Sequence, residues 1–153
     1  MTDDPLARTE LTFLLGLGFQ LMLREFVTRV DAAGYSDLRP IHGMVFQALR
    51  AEGATSTELA GHLGVTKQAA GQIVDELERK GYVARRPHPD GGRRKLVVLT
   101  DKAFEHLTVA GGILRGLEAE LGEHVDFDVL RTELTKLVRT MAGPTLPALR
   151  PFW

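Results

Sequence analysis

Residues 55–81 read Thr55-Ser56-Thr57-Glu58-Leu59-Ala60-Gly61-His62-Leu63-Gly64-Val65-Thr66-Lys67-Gln68-Ala69-Ala70-Gly71-Gln72-Ile73-Val74-Asp75-Glu76-Leu77-Glu78-Arg79-Lys80-Gly81. Two helix starts are written into this stretch. Thr55 and Glu58 have the spacing at which a hydroxyl caps one backbone N–H and a carboxylate returns to another. A short helix is expected from there to Leu63, with Leu59, Ala60 and Leu63 on its buried side. Gly64-Val65 makes a tight turn. Thr66 offers a second capping oxygen, and a further helix is expected over 67–80, stopped by Gly81. Ala70, Ile73, Val74 and Leu77 share one face of it. The opposite face carries Lys67, Gln68, Ala69, Gly71, Gln72, Asp75 and Glu76.

A helix, a tight turn and a helix in this order form a helix-turn-helix. The second helix suits the major groove of duplex DNA, which admits one helix. Its first turn is small, polar and cationic. Ala69 and Gly71 let the backbone approach base edges, and Gln68 and Gln72 can pair with adenine. Thr66 and Lys67, beside free backbone N–H groups, suit phosphate. The acids lie further along, where the helix would leave the groove.

Downstream the periodicity changes. Tyr82-Val83-Ala84-Arg85-Arg86 is short and extended. Pro87-His88-Pro89-Asp90-Gly91-Gly92 is a run of turn formers, and Arg93-Arg94-Lys95-Leu96-Val97-Val98-Leu99 is extended again. These runs predict a basic hairpin. Arg85, Arg86, Arg93, Arg94 and Lys95 cannot all meet one DNA surface, because neighbours on a strand point to opposite faces. A narrow minor groove attracts inserted arginine, for which one of Arg93 and Arg94 is the candidate. Thr55, at the start of the motif, completes the set expected to face DNA.

Helices flank this lobe. Asp4-Pro5 reads as a cap and first turn, and apolar residues are dense from Leu6 to Val30, over more than one stripe. Such a helix must be buried on several sides, which in a small domain suggests a second subunit. Gly16 and Gly18 either admit a close helix or leave room for a ligand, and Gly34 is a stop. Pro40 opens a helix over 41–51. Thr100-Asp101 begins one running from Lys102 to about Gly122, and Asp126 caps a last helix to about Met141. Beyond it, Pro144, Pro147 and Pro151 exclude helix, and Phe152-Trp153 is expected to pack on the protein or its partner subunit.

The 153 residues are 44% hydrophobic and 25% charged, the balance of one folded domain rather than a disordered chain. Net charge is −1. Segment 55–100, however, holds eight basic residues against five acids, while the rest holds 11 against 15. A basic module on an acidic scaffold is the asymmetry expected when one part meets a polyanion. The absence of cysteine excludes disulfides and thiol chemistry. His42, His62, His88, His106 and His124 show no metal-site or catalytic spacing, and no nucleophile or phosphate-loop motif occurs. No enzyme activity, metal or cofactor is therefore expected. The acidic start lacks a secretory signal, and charges interrupt every apolar stretch before the roughly 18 residues that would cross a bilayer. A cytoplasmic protein with no membrane partner is the expectation.

Glu58-Leu59-Ala60, Leu63-Gly64-Val65-Thr66-Lys67, Ile73 to Val83 and Asp90 to Lys102 together resemble the MarR family. The resemblance implies a mainly α winged helix-turn-helix fold of about six helices with a small β-hairpin wing. It implies an obligate homodimer whose N- and C-terminal helices form the dimerisation layer. Within a single domain, 1–153, residues 5–34 and 126–153 would dimerise, 38–100 would form the DNA-binding lobe, and 101–123 the long connecting helix. Asp90 matches the wing acid that holds an arginine, here Arg93 or Arg94. The function implied is a regulator, as a repressor, bound to a pseudo-palindromic double-stranded DNA operator and released by a small aromatic or phenolic effector. Phe13, His42 and Phe46 are the candidates to line the effector pocket, near the first, second and fifth helices. Cysteine-based sensing is impossible here, and the tryptophan that urate-binding relatives carry in the first helix is missing. The alternative is a winged-helix module that binds protein rather than DNA. Its mark would be acids at the start of the second motif helix or an uncharged wing, the reverse of what stands here.

Overall fold

Local capping decides where most of the helices begin. In the computed structural model, which describes residues 4–151, the Thr55 hydroxyl accepts the Glu58 N–H at 3.2 Å. The Glu58 carboxylate accepts the Thr55 N–H at 2.8 Å, and α3 (Ser56–Leu63) starts at this box. It ends on Gly64, at a φ of 68° that a side chain would strain. The Thr66 hydroxyl accepts from Ala69 N at 3.1 Å to start α4 (Lys67–Arg79). Pro40 opens α2 (Pro40–Leu49), and Asp126 accepts two N–H groups to start α6 (Phe127–Ala142). The long α5 (Asp101–Leu121) departs from the expected cap. Thr100 stands at its N-cap position, but its hydroxyl donates to the Gly81 carbonyl at 2.7 Å and ties the helix start to the end of α4.

The first helix is not continuous from Leu6. Asp4 caps a single 3-10 turn, Pro5–Arg8, before α1 (Leu11–Val30) begins. The Thr9 hydroxyl donates to the Pro5 carbonyl at 3.2 Å. That carbonyl would otherwise accept the Thr9 N–H in a continuing α-helix, and the chain is extended at Thr9 and Glu10 instead. At its other end α1 runs into one wide turn, Asp31–Tyr35, which Gly34 closes at a φ of 100°.

Strands β1 (Val83–Pro87) and β2 (Lys95–Leu99) pair antiparallel, from Val83 opposite Leu99 to Pro87 opposite Lys95. Ala54 exchanges both backbone hydrogen bonds with Val97, at 3.1 and 2.8 Å, and so fastens the hairpin to the start of α3. Gly53 permits this contact, since a Cβ there would stand 2.5 Å from the Val97 carbonyl oxygen. The main core cluster lies within this lobe and the first turn of α5. It joins Val45, Phe46 and Leu49 of α2 to Leu59, Leu63, Val74, Leu77, Tyr82, Val83, Val97 and Ala103.

Outside the lobe little is covered. Among the described residues α1 buries only Val30 and α6 buries none. Leu11, Phe13, Leu17 and Leu21 of α1 are exposed, as are Val129, Leu130, Val138 and Met141 of α6. Ion pairs hold the two helices to α5: Arg29 to Glu120 at 2.7 Å, and Arg131 to Glu118 at 2.6 Å. One expectation is corrected here. The stretch Leu11–Tyr35, α1 with the wide turn that follows it, is long and apolar enough, by length and composition, to cross a membrane. Its charges fall near one end, at Arg24, Glu25, Arg29 and Asp31, and leave the first half uninterrupted. The packing expected of Phe152-Trp153 lies outside the described residues.

Two histidines are interior. His42 is fully buried and His106 is 5% exposed, and burial holds both imidazoles below their ordinary titration range. The unfolded chain therefore binds these protons first, from a pH of about 6.5 downward. Folded stability should fall as pH drops below that value toward the lower folded values, with up to two protons taken up on unfolding. Thermal melts between pH 8 and pH 5 should show a falling Tm, less steeply in His106→Phe. A Tm that is flat or rises on acidification would contradict this.

Candidate nucleic-acid interface

α4 is divided cleanly by burial. Ala70, Val74 and Leu77 are 0% exposed against the core, which turns Lys67, Gln68 and Gln72 to solvent. Ala69 and Gly71 lie half-buried between them. A Cβ at Gly71 would meet nothing within 4 Å, so the lobe's own packing does not require glycine there. Thr66 is exposed with its hydroxyl oxygen on Ala69 N–H. Thr55 is half-buried, and both its hydroxyl oxygen and its N–H are committed to the cap of α3. That cap holds the Glu58 carboxyl below its ordinary range, helped by the nearby charges of His88 and Arg94.

The acids of α4 are neutralised within the lobe. Glu76 accepts from Lys80 at 2.9 Å and Arg39 at 2.5 Å, and these two hydrogen bonds, Lys80 first, bring its pKa down to about 2. Asp75 and Glu78 both hold Arg85, at 2.6 and 2.9 Å, and Glu78 also accepts the Arg85 N–H. Arg85, expected to face DNA, is held by these two acids within the lobe. It instead pins β1 against the acidic half of α4, because the turn at Gly81 brings the strand back along the helix.

The wing leaves its other cations free. Arg86, Arg93, Arg94 and Lys95 are exposed, and neither their side chains nor that of Lys67 makes a hydrogen bond or ion pair among the described residues. Arg86 stands opposite Leu96 and Lys95 opposite Pro87, which places the two on opposite faces of the hairpin. Asp90 does not hold an arginine here. Its carboxylate lies 3.7 Å from His88 Nδ1, and its N–H donates to the same nitrogen at 3.1 Å. Gly91 and Gly92 follow, both at positive φ, and carry the chain on to Arg93 and Arg94, which stay exposed.

A cavity of about 980 Å³ opens between α1, α2 and α5. These are the expected helices, but not the expected side chains. Phe13 is 65% exposed on the outside of α1, and His42 and Phe46 are sealed in the core behind the wall. His42 is turned inward because its Nδ1 accepts the Arg39 N–H at 2.9 Å. The wall comes from Phe19, Leu23 and Phe26 of α1, Met44 and Gln47 of α2, and Leu107 and Leu114 of α5. The dense apolar run of the first helix was the available signal for three of these. Among the described residues no group of histidine and carboxylate side chains could hold a metal ion.

Residues 36–94 match the model of the MarR family. The transcriptional repressor CouR, bound to a 23-mer DNA duplex, is 26% identical, with 93% of this chain and 98% of that one covered and a TM-score of 0.71. CouR from Rhodococcus jostii bound to p-coumaroyl-CoA is 23% identical, covers 90% and 94%, and gives a TM-score of 0.69. Wild-type MarR from E. coli in its apo form is 24% identical, covers 85% and 98%, and gives 0.70. No curated protein matches the sequence.

The division of the arginines into free and paired has a measurable consequence. Arg93→Gln and Arg94→Gln should each weaken duplex binding. The slope of log affinity against log salt should become shallower by about 1 for every phosphate that is no longer neutralised. Arg85→Gln should leave that slope unchanged and lower the Tm, since it loosens β1 from α4. Fluorescence anisotropy of a labelled duplex across a salt series, with a melt of each variant, separates the cases. A reduced slope in Arg85→Gln would place that side chain on DNA after all.

Proposed function

We propose that this chain is a MarR-family winged helix-turn-helix transcriptional regulator, a reading supported by the family match over residues 36–94 and by its structural neighbours, and that it acts as a homodimeric repressor on a pseudo-palindromic operator and is released by a small organic ligand. One observation carries the DNA reading. The side chains of Lys67, Arg86, Arg93, Arg94 and Lys95 make no ion pair among the described residues, while Asp75, Glu76 and Glu78 are neutralised by the lobe's own Arg85, Arg39 and Lys80. The face presented to a polyanion is therefore more positive than the residue count suggests. α4 enters the major groove, where Gln68 and Gln72 read base edges past Ala69 and Gly71. Thr66, Lys67 and one of Arg86 and Lys95 serve phosphates, and one of Arg93 and Arg94 enters the minor groove.

The exposed apolar faces of α1 and α6 support the homodimer. Apolar patches of this extent on a small protein mark association surfaces, and a second copy brings the same two faces. A twofold dimer presents two α4 helices, and these match half-sites about one helical turn apart. The cavity lies between the helices of that interface and the DNA-reading lobe. A ligand that favours a different spacing of the two α4 helices weakens operator binding by its difference in affinity for the two states. A small aromatic or phenolic compound suits the aromatic wall, and the ligand-bound CouR neighbour is consistent with an effector. Such a protein works in the cytoplasm.

Sedimentation velocity should show a species of two 16.8-kDa chains. Leu21→Arg or Met141→Asp should shift it toward one chain and lower operator affinity together. If the dimer neutralises roughly 6–10 phosphates, affinity should fall about 10³–10⁵-fold between 50 and 200 mM salt. In a selection from random duplexes, changes at Gln68 or Gln72 should alter which sequence wins. A protein that sediments as one chain and ignores every duplex at low salt would end this reading.

A further inference from the structure

Arg39 stands at two places at once. Its side chain is 58% exposed and lines the cavity between α1, α2 and α5. The same guanidinium reaches Glu76 of α4, with Nη2 2.5 Å from Oε2. Its backbone N–H fixes His42, and because Nδ1 of that buried ring is an acceptor, the ring proton sits on Nε2, 3.4 Å from the same Glu76 oxygen. The start of α2 is thus tied to the DNA-reading helix through one carboxylate, and the arginine of that tie opens on the cavity.

The cavity's charge points to the chemistry of its ligand. Arg39, Arg50, Arg115 and His62 line it against a single carboxylate, Asp31. Arg50 and Arg115 make no ion pair among the described residues, so the positive charge is not compensated from within. The remaining wall is aliphatic and aromatic. An apolar body carrying one acid group fits this lining, and the acid would be drawn to an arginine fork that binds a carboxylate through two parallel hydrogen bonds.

We propose that an amphipathic organic anion in this cavity takes Arg39 from Glu76, and that loss of this tie is how the ligand loosens α4 from α2. The inference rests on the effector reading given above and adds its ligand class and its switch. Glu76 keeps Lys80 at 2.9 Å when Arg39 leaves, so the exchange does not strand a carboxylate without a partner. Couplings of this kind amount to about 5- to 150-fold in affinity, and they are reciprocal: bound duplex weakens the anion by the same factor.

The test uses 2-naphthoate and its uncharged analogue 2-naphthamide as probes. Binding is read by displacement of anilinonaphthalene sulfonate, and duplex affinity by anisotropy. Naphthoate should bind the wild type more tightly than naphthamide and should weaken its duplex binding about 5- to 150-fold. Arg39→Gln should lose the preference for the acid. Glu76→Gln should still bind naphthoate, but its duplex affinity should start lower and no longer respond. A Glu76→Gln variant that responds as the wild type does overturns the switch and leaves the effector reading intact. An Arg39→Gln variant that keeps the full preference for the acid does the same. Failure of both probes to bind the wild type overturns the effector reading, and this inference with it. A melt of each variant shows whether the lobe is folded.

Discussion

A helix can show one face to DNA only if its opposite face is held. In this protein that constraint is met by Ala70, Val74 and Leu77, sealed at 0% exposure against α2, α3 and the hairpin. Burying side chains of this size contributes on the order of 1.5–3 kcal/mol each for the larger ones, far more than any exposed ion pair in the lobe. The rotational setting of α4 is thus decided by the core. Gln68, Gln72 and Lys67 point outward because there is no other side left to them. The turn before α4 and the strand after it inherit that setting through Gly64 and through Tyr82, whose N–H bonds the Leu77 carbonyl at 2.9 Å.

The charges are arranged in a second layer over this core. The acidic half of α4 would repel a phosphate backbone if it stood alone. Arg85, Arg39 and Lys80 convert it into a set of internal braces, one to β1, one to α2 and one along the helix itself. Each brace does two things: it removes a negative charge from the field felt by DNA, and it links α4 to a neighbouring element. Partly exposed pairs of this kind add little stability individually. Their effect is on orientation and on the sign of the surface, which is where the proposed DNA contact would be sensitive.

What could be read in the sequence follows the range of the interaction. Thr55 with Glu58, Thr66, Pro40 and Asp126 act on neighbours within three residues, and each helix start stands where its residue types require. The buried stripe of α4 is likewise a matter of period. The fates of Arg85 and Asp90 depended on geometry that composition does not carry. Arg85 meets Asp75 and Glu78 only because the chain reverses at Gly81, and Asp90 faces His88 across a tip whose shape two glycines set. The break at Thr9 is hidden for a different reason: a hydroxyl that takes a carbonyl four residues back can end a helix as well as decorate one. His42 did carry a local signal. Three residues past Arg39, it occupies the position from which a side chain can return to the N–H of the residue before the helix. That contact explains why it belongs to the core and not to the pocket.

The same reasoning links the bare helices to the cavity. α1 and α6 carry hydrophobic stripes left exposed among the described residues, and Arg29 and Arg131 pair each helix with α5. Ion pairs on a surface permit sliding in a way that interlocked cores do not. In the proposed dimer the second copy would fix these helices, and the space between α1, α2 and α5 would become the junction between a rigid lobe and an arm whose position depends on the partner. A ligand placed there meets Arg39, through which that joint is tied to Glu76 of α4. In the proposed reading a change at that tie reaches α4 while Ala70, Val74 and Leu77 still hold its buried face, which is the property a regulator of twofold sites requires.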